Sequence, residues 1–156
     1  MSDSITLVLP YPLSANRYWK SCVPKGYKSP IVYVTAEAKA YKTEVRWIAR
    51  QAGMRKPLQC RVKVHIDLYP QMPQDVAKRA RTNPDYWDDN VRCIDLDNAR
   101  KVLYDALQGV VIENDERIWE DSAKRMQPDG EARVVVTVTR LEKILIQPPL
   151  FAASMS

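Results

Sequence analysis

The sequence predicts a single α+β domain in which a mixed β-sheet packs with two main helices. The chain has 156 residues, of which 46% are hydrophobic, and this is enough to fill one core without a disulfide or a structural metal. Some stretches alternate apolar and polar residues, as half-buried strands do, and two others repeat apolar residues at helical steps. We expect residues 1–143 to form the domain and residues 144–156 to form a tail, either disordered or at a subunit interface.

The first third of the chain predicts two strands and a helix. Residues 5–9 form a β-prone run that prolines end, and residues 31–34 form another. Thr35 can then cap a helix over residues 36–52, with Gly53 well placed just past its end. Apolar residues at helical steps predict the buried face of this helix: Ala38, Tyr41, Val45, Ile48 and Ala52. A basic column lies elsewhere on the helix, either as a rail that faces DNA or as a solvated face: Lys39, Lys42, Arg46 and Arg50.

The clearest strand pattern covers residues 58–69, where apolar and polar residues alternate strictly. This alternation predicts that Cys60 is buried and that the lone histidine, His65, lies on the wet face of the strand. Further strands are predicted over residues 110–112, 117–126 and 132–141. The Asp129-Gly130 dipeptide before the last of them predicts a hairpin turn.

The scarcity of histidine and glycine excludes several kinds of site. With one histidine the two-histidine helix of zinc proteases is absent, and the four glycines are too scattered for a phosphate-binding loop, so no nucleotide cofactor is expected. The three cysteines form no C-x-x-C pair and the N-terminus resembles no signal peptide, which indicates a reducing, cytoplasmic location. No run has the roughly 18 apolar residues of a membrane helix. Chemistry should therefore rest on carboxylates and lysines.

The net charge of +5 is unevenly placed along the chain. Residues 1–70 contain 12 Lys or Arg and 4 Asp or Glu, whereas residues 71–156 contain 12 and 15. A basic part can hold a polyanion while an acidic part supplies carboxylates to a cation, which is the division that a metal-dependent nuclease needs. The alternative is a solvated surface of uneven charge, and composition alone leaves both open.

Basic and aromatic residues are interleaved in the loop over residues 10–30. Such a mixture suits contact with phosphates together with stacking on bases or sugars. The alternative is that Tyr18 and Trp19 simply pack the loop onto the core. A second long segment, residues 70–93, contains prolines and several arginines, and long ordered loops in compact domains tend to be functional or mobile.

The most informative segment is residues 95–107, with the sequence D-L-D-N-A-R-K-V-L-Y-D-A-L. Its helical core face follows from the apolar spacing: Ala99, Val102, Leu103, Ala106 and Leu107. At about 100° per residue, Lys101 then lies opposite that face, with Asp97 and Asp105 one turn before and after it. We expect Asp97 to be the N-cap and Asp95 to point to the same side. Two carboxylates and an ammonium group would then lie together at the N-terminus of one helix.

Two such aspartates are the oxygen ligands that Mg²⁺ takes in proteins, with its other positions left to water and phosphate. Chain reversal after the helix can bring Asp115 back beside the pair as a third carboxylate. A D-x-D pair alone is a weak motif, and simple capping would account for Asp97. An EF-hand is excluded, because Arg100 and Ala106 stand where its glycine and glutamate are required.

This segment, together with I-E-N-D at residues 112–115, resembles the RusA family of Holliday junction resolvases of bacteria and their prophages. The sequence P-Y-P-L-S-A-N-R-Y-W, which ends at Trp19, is similar to the opening loop of that family. The resemblance covers the order of elements from residue 5 to about residue 141. It implies an α+β homodimer that cuts four-way DNA junctions with Mg²⁺ and no other cofactor.

The resemblance also implies roles for individual residues. Asp95, Asp97 and Asp115 match the metal-binding acids, and Lys101 matches the catalytic lysine. The residues expected to meet DNA come from the opening loop and from just before the first acid: Ser14, Asn16, Arg17, Lys20 and Arg92. The chain departs from the family in that Arg92 alone remains of a basic run, and in a longer insertion after Tyr69.

We therefore expect a Mg²⁺-dependent, structure-selective endonuclease that resolves branched DNA in recombination and repair by paired symmetric nicks. A dyad-related pair of sites in a homodimer suits a junction that itself has two-fold symmetry. The alternative from another class is a non-catalytic branched-DNA-binding protein whose acids are structural. A nuclease without junction preference is a third possibility.

Overall fold

The computed structural model describes residues 3–142, so the expected tail lies outside the described part of the chain. Its strands are β1 (Ser4–Pro10), β2 (Trp19–Cys22), β3 (Ile31–Val34), β4 (Val62–Tyr69), β5 (Ile118–Arg125) and β6 (Arg133–Arg140). Its helices are α1 (Ala15–Tyr18), α2 (Ala36–Gln51), α3 (Val76–Thr82) and α4 (Leu96–Leu107), and a 3₁₀ turn, Asp115–Arg117, precedes β5. None of the helices in this part of the chain is long and apolar enough to cross a bilayer.

A mixed four-stranded sheet, in the order β1-β6-β4-β5, is the centre of the fold. Strand β6 is antiparallel to both β1 and β4, whereas β4 and β5 run parallel. Strands β2 and β3 pair with each other in a separate antiparallel ribbon. The predicted α+β class with a mixed sheet is confirmed.

One face of the sheet forms the core with α2 and α4. Alternate residues of β1, β4 and β6 are fully or almost fully buried on that face, as their period of two requires. The five apolar residues that the sequence assigned to the core face of α4 are all buried: Ala99, Val102, Leu103, Ala106 and Leu107. On α2 the buried set is Ala38, Tyr41, Val45 and Ala49, so the predicted stripe is correct for three of its five members.

Both ends of α2 follow the sequence. The hydroxyl of Thr35 accepts a hydrogen bond from the Ala38 amide at 3.2 Å, as an N-cap does. Gly53 follows with a φ of +96°, in the left-handed region where glycine ends helices without strain.

Two strand predictions need correction. Strand β4 begins at Val62 and not at residue 58, since Leu58 forms only an isolated bridge to Ile112. Residues 110–111 form a turn and Ile112 forms only isolated bridges, because Gly109, with a φ of +73°, reverses the chain after α4.

The predicted hairpin at Asp129-Gly130 is wrong. Strand β4 lies between β5 and β6, so the loop that joins these two strands crosses the end of β4. Backbone bonds fix this crossing, with the Met126 amide donating to the Leu68 carbonyl and the Met72 amide to the Gly130 carbonyl, both at 2.8 Å.

Candidate active site at the start of helix α4

Asp95, and not Asp97, caps helix α4. Its backbone is extended, with a ψ of 157°, and its Oδ1 accepts a 2.8 Å hydrogen bond from the Asn98 amide. Its Oδ2 accepts a second bond, at 3.0 Å, from Nδ2 of Asn98. These hydrogen bonds to Asn98 lower the pKa of Asp95, and the charge of Lys101 lowers it further. The carboxylate is therefore ionised and oriented by the helix itself.

Asn98 also connects this carboxylate to the N-terminal loop. Its Oδ1 accepts a 2.9 Å hydrogen bond from the amide of Ala15, the first residue of α1. One amide side chain thus joins the start of α1 to Asp95. Sequence reasoning missed this role, although the D-x-x-N spacing of a capping aspartate and its third residue is visible in the sequence.

Tyr11 fixes the backbone that leads into Asp95. Its hydroxyl oxygen accepts a 2.7 Å hydrogen bond from the Ile94 amide and donates to Cys93 Sγ at 3.5 Å. Burial raises the pKa of Tyr11 to about 12, so the hydroxyl remains a neutral donor. Arg125 holds the same segment through a 2.6 Å bond to the Val91 carbonyl.

Asp97 and Lys101 lie with Asp95 around one open cavity of about 530 Å³. Asp97 is in the first turn of α4, and 88% of its side chain is exposed. It forms an ion pair with Arg100 at 3.5 Å. The structure therefore brings together three of the four residues that the sequence placed in the site.

Asp115 is not brought to these three residues. It begins the 3₁₀ turn and lines a separate cavity of about 290 Å³, which also includes Asp121 and Tyr104. Arg100 lies between the two carboxylate sets, because it contacts Asp97 and also places its Nε 3.2 Å from Asp121 Oδ2. In residues 3–142 no group of three Asp, Glu, His or Cys side chains could hold a metal ion. The expected cluster of three acids is absent from this part of the chain.

Asp121 is a carboxylate near the site that the sequence did not single out. It lies on β5 and accepts a 2.6 Å hydrogen bond from the Tyr104 hydroxyl. Burial, and then this bond, raise the pKa of Tyr104 well above its ordinary value. Tyr104 and Arg100 lie on neighbouring turns of α4, so both attach Asp121 to that helix.

A groove of about 880 Å³ runs from Asp95 along the N-terminal loop. Its walls come from four segments, and they include Tyr11, Pro12, Ser14, Arg17, Gln71, Met72, Pro73, Gln74, Arg79, Val91, Arg92, Cys93, Ile94, Asp95, Asn98 and Ala132. Three of the five predicted DNA-binding residues therefore share a groove with Asp95. Asn16 and Lys20 are exposed but do not line it.

Residues 10–139, most of the chain, match the family described as Endodeoxyribonuclease RusA. The chain belongs to this family. Membership supports nuclease activity and implies Holliday junction resolvase activity. None of the curated proteins matches the chain.

The segment after Tyr69, which the resemblance led us to expect as an insertion, forms α3 and one wall of the groove. Arg79 on α3 is held by Asp75 at 2.7 Å and by Asn90 at 2.6 Å. Since two of its nitrogens are already occupied, Arg79 orders the insertion as well as lining the groove. Residues 71–74 reach the groove because the Ala132 amide bonds Oε1 of Gln71 at 3.1 Å.

Tyr18 and Trp19 pack the opening loop onto the domain, as the second of the two alternatives expects for these two aromatic residues. Tyr18 is fully buried, and its hydroxyl donates to Asp105. Burial raises the pKa of Tyr18 far above its ordinary value, and Asp105 adds to this.

Lys42 pairs with the carboxylate of Asp105 at 3.1 Å. Asp105 is thus half-buried between α1, α2 and α4, and the predicted exposed stack of Asp97, Lys101 and Asp105 is wrong at its last member.

His65 lies on the face of the sheet that is opposite the core. Its Nδ1 is 2.5 Å from Ser122 Oγ, and its Nε2 is 2.9 Å from Asp67 Oδ1. The side chain is 37% exposed, and none of its partners lines the groove or the cavities around α4. This placement agrees with the prediction of a histidine on the wet face of β4.

Proposed function

We propose that the chain is a Mg²⁺-dependent endonuclease that resolves four-way DNA junctions by paired symmetric nicks and acts as a homodimer. The observation that carries the proposal is the groove in which Ser14, Arg17 and Arg92 lie beside Asp95. Two arginines and a hydroxyl are phosphate-binding groups, and they lead to a carboxylate at a helix N-terminus. Family membership supports the same function.

The donor set at the start of α4 fits Mg²⁺. This ion binds through one or two carboxylates and keeps waters and phosphate oxygens in its other positions. Asp95 and Asp97 would hold it, since both are exposed and each carboxylate oxygen that accepts one hydrogen bond retains a further lone pair. When bound, Mg²⁺ supplies charge neutralisation at the scissile phosphate and a more acidic water. Asp115 as a third ligand remains a prediction.

The protein's own residues orient and stabilise the reacting phosphate. Arg17 and Arg92 bind the strand in the groove and set its register against Asp95. Lys101, whose side chain is exposed in the same cavity as Asp95 and Asp97, adds positive charge where the transition state gains negative charge. The capping bonds from Asn98 keep Asp95 ionised and in one orientation during this step.

Cleavage of a synthetic four-way junction with Mg²⁺ tests the proposal. We expect Asp97→Asn to abolish cleavage, while Glu44→Gln, which neutralises an exposed carboxylate on α2, cleaves as the wild type does. Asp95→Asn should retain junction binding, since it leaves the groove arginines in place. Equal cleavage by wild type and Asp97→Asn would exclude this site. Paired action requires two nicks at symmetric positions in the junction. It also requires that the protein is a dimer in sedimentation.

A non-catalytic branched-DNA-binding protein is the second candidate. It is favoured by the capping role of Asp95 and by the lack of a three-acid cluster in the described residues. This alternative predicts junction binding that weakens steeply with salt and no cleavage with any divalent metal. Cleavage that Asp97→Asn removes would exclude it.

A further inference from the structure

The ribbon formed by β2, β3 and the loop between them, residues 19–34, is a separate surface beside the candidate site. It does not pair with the four-stranded sheet. It is fixed at its base, where the Thr35 amide donates to the Tyr18 carbonyl at 3.0 Å and the Thr35 hydroxyl donates to the Arg17 carbonyl at 2.7 Å. Because Arg17 lies in the groove and α1 binds Asn98, the ribbon is anchored to the same loop as the site.

The charge of the ribbon has one sign. Residues 19–34 contain three lysines, Lys20, Lys25 and Lys28, and no aspartate or glutamate. All three lysines are exposed, and within residues 3–142 none of them forms an ion pair. A positive surface that the protein does not neutralise itself is suited to an anionic partner.

Aromatic and branched side chains are exposed between these lysines. Val32 is 67% exposed and Tyr27 is 64% exposed. The Tyr27 amide donates to the Pro24 carbonyl at 3.0 Å, and Gly26 between them has a φ of +91°. Positive φ at this third position is typical of a type II turn, and it places Lys25 and Tyr27 at the tip of the ribbon. Tyr33, on β3, is paired across the ribbon with Lys20.

We propose that this ribbon is a second DNA-binding element, which contacts a duplex arm of the branched substrate. The proposal rests on the junction-cleaving function above and adds a surface outside the groove, of which only Lys20 was among the residues expected to meet DNA. Lys20, Lys25 and Lys28 bind phosphates, and Tyr27 packs against a sugar or base of the DNA. The major groove of B-DNA is wide enough to admit a two-stranded ribbon. A second copy of the chain fits less well, because a dyad would set each lysine-bearing ribbon against its own like charges.

Junction binding measured without Mg²⁺ tests the proposal independently of cleavage. The wild type, Lys25→Gln/Lys28→Gln and Lys63→Gln/Lys124→Gln are compared by fluorescence anisotropy over a range of salt. The last variant is the matched control, since it removes two exposed lysines from the other face of the sheet. We expect the ribbon variant to lower the salt slope by about 1.8 and to bind about 60-fold more weakly at 0.1 M salt. The control should bind as the wild type does.

A second pair of variants tests the aromatic contact. Tyr27→Ala should weaken binding about fivefold or more, whereas Tyr27→Phe, which keeps the ring, should not. Hydroxyl-radical footprinting should show protection on one arm that the ribbon variant loses.

Unchanged binding and footprints in both Lys25→Gln/Lys28→Gln and Tyr27→Ala would overturn the proposal. It would also be overturned if these variants convert a dimer to a monomer in sedimentation, which would assign the ribbon to a subunit interface. Absence of cleavage by the wild type would instead refute the proposed function and leave these binding results interpretable.

Discussion

Replacing Asn98 with alanine is the sharpest test of how the site is built. The backbone amide of residue 98 would still donate to Asp95, but both side-chain bonds would be lost. One is the 3.0 Å bond from Nδ2 to Asp95, and the other is the 2.9 Å bond from the Ala15 amide to Oδ1. The variant thus separates the helix cap from the side chain that orients the carboxylate and attaches α1.

The magnitude follows from these two bonds. The bond from Ala15 is partly buried, and its loss should lower the free energy of unfolding by about 0.5–1.5 kcal/mol. The bond to the exposed carboxylate of Asp95 is screened by solvent and adds little to this. For a chain of this size, a decrease of about 1 kcal/mol corresponds to a melting temperature lower by roughly 2–4 °C. The rate of junction cleavage should fall as well, because Asp95 and the groove loop lose their common anchor.

Asn98→Asp separates stability from chemistry. An aspartate keeps an acceptor for the Ala15 amide but places a second negative charge against Asp95. We therefore expect Asn98→Asp to reduce cleavage at a fixed Mg²⁺ concentration more than Asn98→Ala does. Urea denaturation and single-turnover cleavage measure the two effects. Wild-type stability and wild-type cleavage in Asn98→Ala would refute the reasoning.

The effect of Asn98→Ala on stability should depend on pH in a defined direction. The pKa of Asp95 is lowered in the folded state, so its contribution to stability is present above the unfolded value of about 3.9 and is lost as the pH falls. The stability difference between wild type and Asn98→Ala should therefore narrow below about pH 4, as the bond to the carboxylate loses its charge, without vanishing. A difference that grows on acidification would contradict this assignment.

Three further substitutions test neighbouring contacts. Arg100→Gln should lower the Mg²⁺ concentration for half-maximal cleavage by up to about fivefold, since Arg100 competes for Asp97 through an exposed ion pair, and a higher requirement would contradict this role. Tyr18→Phe should cost about 1.5–3 kcal/mol in urea denaturation, because the hydroxyl donates to the carboxylate of Asp105, and an unchanged midpoint would show that this bond contributes nothing. Leu103→Ala should cost about 2–5 kcal/mol in the same assay, and a smaller loss would mean that the core closes around the cavity.

The elements that depend on local patterns were predictable from the sequence. Helix α4 and its buried face follow from apolar spacing that any amphipathic helix shows. The ends of α2 follow from Thr35 and Gly53, whose side chain and backbone freedom act within a few residues. The mixed sheet and the α+β class are likewise confirmed.

The pairing of β5 with β4 was not predictable from local signals. Asp129-Gly130 favours a turn, but a turn does not determine whether the strands on either side of it become neighbours. Here β4, which is far away in sequence, occupies the place between them. Its parallel pairing with β5 is determined by the whole sheet.

The grouping of Asp95, Asp97 and Lys101 at the start of α4 was predictable from their spacing, whereas the geometry of the group was less so. In D-x-D either aspartate can cap a helix, and the sequence does not show that Asp95 is the cap or that Asn98 also binds Ala15. Asp115 lies apart from these residues, and Arg100 instead contacts Asp97 on its own helix and Asp121 on β5. Spacing along the chain contains no information on such a contact.

The strand order also governs when this protein can become functional during its synthesis. Within residues 3–142, strand β1 pairs with β6 alone, and the partners Ser4 and Thr139 are 135 residues apart. Until β6 leaves the ribosome, β1 has no neighbour and β4 presents an unpaired edge, so a nascent chain has only a partial sheet behind α4. Contacts this distant in sequence form slowly. Competence to cut DNA would therefore arrive only with the last strand, after nearly the whole described chain has been made.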